Sequence, residues 1–219
     1  MKNYLKIIRK CPLFFQIEDA DLQRMLNCMG ARVVSFDKKY TVMAEDSPAK
    51  YIGIVLSGTV QLSRTDFYGN RSMIGTASAG EIFGEAFACA EVGSLPISVI
   101  AAEECEVMFV DASHILHTCE NNCVFHRQLI FNLMKDLATK NIGSFRKLEI
   151  TGKRTTREKL LAYLSMCAER SASTSFDIPF DRQELADYLE VDRSGLSAEI
   201  GKLTKEGVIL TKKKHFELL

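Results

Sequence analysis

Two kinds of hydrophobic spacing alternate along the 219-residue chain, and the places where one replaces the other divide it into parts. In residues 17–30, Ile17, Leu22, Met25, Leu26 and Met29 recur at helical spacing, and Gly30 supplies a stop. From Val33 to Asp111 that spacing vanishes. The chain breaks there into short β-rich runs, ARVVSFDKKYTVM, YIGIVLSGTVQLSRTDF, RSMIGTASAG and PISVIAAEECEVMFVD. Turn signals at Asp46-Ser47-Pro48, Ser57-Gly58, Tyr68-Gly69-Asn70 and Ala79-Gly80 separate them. Short strands at regular intervals with glycine-bearing turns predict an antiparallel sandwich or barrel.

Helical spacing then returns. Ser113 is placed to cap a short helix ending near Cys119, and a long helix is expected from about Asn122 to Leu148, a stretch with no Pro and only Gly143. Its stripe, Ile130, Leu133, Leu137, Asn141, Ser144 and Leu148, repeats at intervals of three and four. Such a helix is roughly 40 Å long at 1.5 Å per residue, more than one small domain covers. The stripe is therefore expected to pack against a second copy of itself. Burial against the chain's own barrel is the alternative. Thr151-Gly152 marks a hinge. Thr155-x-x-Glu158 spells a capping box opening a helix through Leu160, Leu161, Leu164 and Cys167, and SASTS (171–175) is a loop.

Residues 181–207, DRQELADYLEVDRSGLSAEIGKLTKEG, hold the most specific pattern. Asp181 with Glu184 can cap a first helix, and Asp192 a second that runs to about Glu206 and stops at Gly207. Leu189-Glu190-Val191 forms the tight turn between them. Leu185, Leu189, Val191, Leu196, Ile200 and Leu203 supply a core, and small Ala186 sits where the helices approach. This is the helix-turn-helix pattern, whose second helix enters the major groove of DNA. Arg193 is the candidate for a guanine, because its fork matches O6 and N7. Ser194, Ser197 and Lys202 are candidates for bases or phosphates. The tail VILTKKKHFELL reads as a β-hairpin wing with Lys212, Lys213 and Lys214 at its tip, placed to grip phosphate. The plainer alternative is a helical hairpin followed by a solvated lysine run.

Composition changes this picture little. Lys plus Arg and Asp plus Glu number 28 each, so whole-chain charge names no partner. From Arg193 onward, however, Arg193, Lys202, Lys205, Lys212, Lys213 and Lys214 face only Glu199, Glu206 and Glu217, and a local patch is what nucleic acid needs. No stretch has signal-peptide or membrane-span length, so a cytoplasmic protein without membrane contact is expected. Seven scattered cysteines suit thiols in a reducing compartment.

The order of parts resembles the Crp/Fnr transcription regulators over essentially the whole chain. KCPLFFQIEDADL near the N-terminus, GEIFGEAFAC (80–89) and the helix-turn-helix with its wing carry the likeness. It implies an α+β fold: a double-stranded β-helix (jelly-roll) sensor barrel over 1–120, a dimerisation helix over 121–150, and a winged helix-turn-helix over 151–219. In members that bind cyclic AMP, a Gly-Glu pair opens a short helix whose N–H groups meet phosphate while the Glu binds ribose. Gly84 and Glu85 match that pair and are the candidate effector residues. Those members next use an Arg followed by Ser or Thr to neutralise the phosphate. Counting from Cys105-Glu106-Val107 puts Leu95 and Pro96 there, and no Arg lies between Arg71 and Arg127. A phosphate buried beside Glu85 without a cation is costly, which argues against cyclic AMP. Gly84 and Glu85 then serve as turn and cap, or hold another effector.

The Fnr-type iron–sulfur cluster needs a cysteine group near the N-terminus, where this chain has only Cys11. Cys119 and Cys123, spaced i, i+4 where barrel meets helix, are candidates for a redox switch; two partly buried structural thiols are the plainer alternative. His114, His117 and His126 lie nearby and leave haem open, though no metal site is assigned. The best-known members place an acidic residue and a second Arg where this chain has Ser194 and Ala198, so a different target is expected. The function implied is sequence-specific binding of near-palindromic double-stranded DNA by a homodimer joined through helix 122–148. RNA polymerase is an expected partner, and the effector a small molecule or redox signal. A ligand-binding module acting on another protein is the alternative. Catalysis finds no support: no His lies between Val33 and Val110, and no triad, P-loop or dinucleotide motif occurs.

Overall fold

The computed structural model describes residues 4–69, 71–116 and 124–219, so Cys119, Cys123 and His117 lie outside the described residues. The chain divides into two compact units, Met1–Gly69 with Ile74–Asn141, and Asn70–Met73 with Ile142–Leu219.

In the first unit, α1 (Leu5–Ile8), a 3-10 turn (Pro12–Phe14) and α2 (Asp19–Cys28) lead into the strands. These are β1 (Arg32–Phe36), β2 (Thr41–Met43), β3 (Tyr51–Ser57), β4 (Thr59–Thr65), β5 (Arg71–Ser78) and β6 (Ile82–Phe83). After α3 (Glu85–Cys89) come β7 (Ser98–Ala101), β8 (Cys105–Asp111), α4 (Ser113–Leu116) and the long α5 (Val124–Thr151). The strands form two four-stranded sheets in the orders β1-β8-β3-β6 and β2-β7-β4-β5, the expected jelly-roll barrel. Antiparallel register sets Ile52 against Val110 and Ile54 against Met108 on one face of β3 and β8. These side chains pack with Leu13 and Leu22 from the N-terminal segment and with Leu129 and Leu133 of α5. Val55, Val107 and Phe109 face the other way, into a barrel interior filled by Val60, Phe83, Leu95 and Val99. Both faces are buried, so the two strands read as continuous apolar runs rather than alternating ones. Gly53 opposes Phe109, and a Cβ there would lie 2.2 Å from Cζ of Phe83; glycine leaves room for that ring.

Two expectations need correction. Asp111, not Ser113, supplies the oxygen at the start of α4, accepting from the Ser113 N–H at 2.9 Å and its hydroxyl at 2.6 Å. The long helix does not present its stripe on one side. Leu133 is buried in the first unit's core and Ile130 and Leu137 pack partly against it, because Asn132 ties this face of α5 to the Leu13 and Phe15 carbonyls at 3.0 and 2.7 Å. The open face instead carries Phe131, Ala138 and Phe145 at one seven-residue repeat, and Met134, Asn141 and Leu148 at another. Phe131 and Met134 are 56% exposed, and Phe145 and Leu148 still more so. The helix ends at Thr151, with the Gly152 N–H bonded to the Leu148 carbonyl.

The second unit holds α6 (Thr156–Ser171), β9 (Ser175–Asp177), α7 (Arg182–Leu189), α8 (Arg193–Lys205), β10 (Ile209–Lys212) and β11 (His215–Leu218). Its sheet runs β10-β11-β9. Leu160, Leu164, Leu185, Leu189, Leu196, Ile200, Leu203, Ile209 and Phe216 make its core. The Thr155–Glu158 capping box opens α6 as its spacing predicts. No helix among the described residues is long and apolar enough to cross a membrane.

Candidate nucleic-acid interface and effector cassette

Local chemistry sets the two helices of the motif. Asp181 Oδ1 accepts from the Glu184 N–H at 2.9 Å while Glu184 Oε2 accepts from the Asp181 N–H at 2.7 Å, closing a capping box. α7 stops at Glu190, which takes the left-handed conformation (φ 53°), and the Val191 N–H returns to the Ala186 carbonyl at 3.1 Å. Asp192 Oδ2 then accepts from the Gly195 N–H at 2.8 Å and from the Ser194 hydroxyl, which together hold this carboxyl below its usual range. Ala186, fully buried, lets α7 and α8 approach.

This geometry leaves Arg193, Ser194, Ser197, Ala198, Gly201 and Lys202 exposed along α8. Ser194 already serves the cap, and Lys202 Nζ lies 3.4 Å from Glu199. The wing forms as predicted, with Lys212 opposite His215 and Lys213 at the turn in a left-handed conformation (φ 58°). Lys214 is drawn aside, its Nζ donating to the Pro179 carbonyl at 2.6 Å. His215 is held between Asp177 Oδ1 and Ser175 Oγ, each at 3.1 Å, which fastens the wing to β9.

The sequence reading missed Arg182. It occupies the first turn of α7, where the helix macrodipole disfavours a cation. One of its Nη atoms is buried without a hydrogen-bond partner, and its guanidinium lies 6.0 Å from the Phe216 ring. Partial burial, and then the charge of Arg193, push it below its ordinary value. Neither Arg182 nor Arg193 joins an ion pair among the described residues. The dipole mismatch was a usable signal.

Helix α6 braces the motif from behind. Lys159 Nζ lies 3.3 Å from both the Leu189 and Glu190 carbonyls, satisfying the C-terminus of α7. Arg157 grips Glu206 through both nitrogens of its fork, at 3.1 and 2.5 Å.

In the barrel, Gly84 is the N-cap residue of α3 with φ 79°, and a Cβ there would come within 3.2 Å of the Tyr51 carbonyl. Glu85 is buried. Its Oε1 receives Lys140 Nζ of α5 at 2.9 Å, and the same ammonium donates to the Ile82 carbonyl at 2.7 Å and lies 3.0 Å from Asp136 Oδ2. Glu85 Oε2 is buried without a hydrogen-bond partner. Leu95 is 1% exposed and packs in the barrel interior, and Pro96 beside it has no N–H to offer.

Residues 33–122 match the model for the cyclic nucleotide-binding domain, and residues 158–219 that for the Crp-like helix-turn-helix domain. The chain belongs to the Crp/Fnr family. It is 26% identical to a probable transcriptional activator of Rhizobium leguminosarum bv. viciae over 77% of this chain and 69% of that one. It is 24% identical to the transcriptional activator protein FnrL of Cereibacter sphaeroides over 83% and 74%. Among solved structures, FixK2 from Bradyrhizobium japonicum superposes with TM-score 0.65 at 21% identity, covering 86% of this chain and 92% of that one. The c-di-GMP responsive global regulator CLP of Xanthomonas campestris superposes with TM-score 0.74 at 16% identity, over 91% and 99%. As a Crp/Fnr member the protein is a DNA-binding transcription regulator.

Among the described residues the thiols and imidazoles differ in their surroundings. Burial pushes the Cys11 thiol up to about 12, and Cys105 is also buried; Cys28 is exposed. His126 Nε2 lies 2.8 Å from the Ile115 carbonyl, and His114 is exposed. Among the described residues no three His, Cys, Asp or Glu side chains gather to hold a metal.

Proposed function

We propose that the protein is a cytoplasmic homodimer that reads a near-palindromic DNA site with α8 and answers to an effector other than cyclic AMP. The Arg193 guanidinium, exposed at the start of α8 behind the Asp192 cap, carries the DNA-binding part, together with Arg182 in the first turn of α7, whose buried Nη atom has no hydrogen-bond partner. Arg193 offers its fork to guanine O6 and N7. Ser197 reaches the same groove, and Ser194 positions Arg193 through the shared Asp192 cap. Arg182, Lys202, Lys212, Lys213 and Lys214 meet phosphates, Lys214 after leaving the Pro179 carbonyl. Successive major grooves place the two recognition helices one turn of DNA apart, and the seven-residue repeats on the open face of α5 support pairing with a second copy. RNA polymerase is the further partner, and the protein binds rather than catalyses.

The effector part rests on Leu95 and Pro96, which carry no charge where a cyclic phosphate would lie, the Leu95 N–H being held by the Ser47 carbonyl at 2.9 Å and Pro96 having none, and on Glu85, which Lys140 already holds. A small molecule or a redox change would act by shifting a population of two poses.

Selection of bound duplexes from random DNA with the purified protein tests this. A palindrome with half-sites about ten base pairs apart is expected, with Arg193→Ala losing about 1–3 kcal/mol and relaxing one position per half-site. Equal loss on every sequence would restrict Arg193 to phosphate. An isothermal titration in which cyclic AMP binds would overturn the effector part.

A further inference from the structure

The recognition helix carries two carboxylates, Glu199 and Glu206, seven residues apart on a flank of a surface meant for polyanionic DNA. Glu206 is also the C-cap residue of α8, where the macrodipole disfavours an anion. Arg157 stands in the first turn of α6, where the same effect disfavours a cation. Neither residue suits its own helix end. Each suits the other, and the fork closes on Glu206 with both nitrogens. Arg157 Nη1 also lies 3.5 Å from Glu199 Oε1, and the other oxygen of Glu199 lies 3.4 Å from Lys202 Nζ. The four side chains form one chain of alternating charge, Glu206, Arg157, Glu199 and Lys202.

We propose that Arg157 is a positioning residue for DNA recognition: it neutralises Glu206, shares Glu199 with Lys202 and holds α8 against α6, so that Lys202 can turn to phosphate without leaving Glu199 unpaired. The inference rests on the assignment of α8 to the DNA groove. The Glu206 carboxyl, held below its usual range chiefly by the Arg157 side chain, agrees with the pairing. Without Arg157, Glu206 would stand uncompensated beside the phosphates, and Glu199 would draw on Lys202 alone, holding that ammonium back from phosphate. Arg157 itself touches no base and no phosphate in this arrangement.

The full-length protein, Arg157→Gln, Arg157→Lys and the triple variant Arg157→Gln/Glu199→Gln/Glu206→Gln are titrated onto a selected duplex and an unrelated one over a range of salt. Arg157→Gln is expected to weaken binding to both duplexes by about tenfold at low salt, the gap narrowing as the Debye length falls below about 5 Å. Arg157→Lys, which keeps the charge but loses the fork, should fall between. The triple variant should regain most of the affinity, because the carboxylates that needed neutralising are gone. A purely structural role would show lost helix content and a lowered melting temperature in Arg157→Gln, with no rescue by removing the carboxylates. That pattern, or wild-type affinity in Arg157→Gln, overturns the proposal. A wild-type protein that enriches no duplex, with or without cell extract, overturns the assignment of α8 to DNA and this inference with it.

Discussion

Replacing Lys140 by Met removes the cation that clips α3 to α5 while keeping the length of the apolar stem. The ammonium holds the Ile82 carbonyl and Glu85 Oε1 and lies beside Asp136. Glu85 has a side-chain exposure of 6%, so it cannot turn to water when its partner goes. Deleting one member of a buried pair typically costs about 3–5 kcal/mol. The Lys140 side chain is itself 40% exposed, so screening reduces the loss, and about 2 kcal/mol is the working magnitude. At 1.4 kcal/mol per factor of ten, that is roughly thirtyfold in the local opening equilibrium. Hydrogen exchange by mass spectrometry on the segment spanning Ile82–Cys89 measures it directly, since amides there exchange through local opening. The double variant Lys140→Met/Glu85→Gln should recover at least half of the protection, because a neutral amide no longer needs the cation. Unchanged exchange in this segment, or a double variant as fast as the single, would refute the claim that Glu85 depends on Lys140.

Two further outcomes follow from the same structure. The Asp192 carboxyl is held down by the Ser194 hydroxyl and then the Gly195 N–H, so its folded value lies below its unfolded one. Its contribution is present above about pH 4 and lost as the pH falls through the depressed value, so urea midpoints of Asp192→Ala and wild type should converge in acid; a constant gap would count against the cap. Iodoacetamide at neutral pH should label exposed Cys28 and spare Cys11, whose thiol burial raises to about 12, until the chain unfolds; peptide mapping that finds Cys11 modified in native protein would contradict the N-terminal packing.

The DNA-binding motif was legible because its signals are short-range. Asp181 and Glu184 cap each other across three residues, Asp192 caps α8 across the same interval, and Ala186 sits five residues from the Val191 N–H it receives. Arg182 was not legible as a partly buried group, since Phe216 lies across the unit on another element. The cassette shows the same division. Leu95 and Pro96 could be read as a missing phosphate site, but the cation that answers Glu85 comes from α5, 55 positions away. Asp111 took the cap expected of Ser113 because both have a suitable oxygen and only the backbone path decides between them.

The long helix was half legible for a different reason. A 28-residue helix with apolar groups on two adjacent faces has no single stripe, and spacings of three and four connect residues of one face to residues of the other. Leu133 belongs to the face that the barrel covers, while Leu148 belongs to the face that it leaves open. What separates them is the occupant on each side, which no periodicity contains. The open face is the more informative for assembly. Burying a large apolar side chain contributes about 1.5–3 kcal/mol, so Phe131, Met134, Phe145 and Leu148 left in water argue for a cover. Phe131 and Phe145, and Met134 and Leu148, lie two heptads apart with Ala138 and Asn141 between them, a spacing that matches the seam of two helices winding about each other, although the equally exposed Ile142 falls outside it. A polar residue at such a position costs stability but penalises every register in which it meets an apolar neighbour. In the proposed homodimer Asn141 would therefore fix how the two α5 helices align.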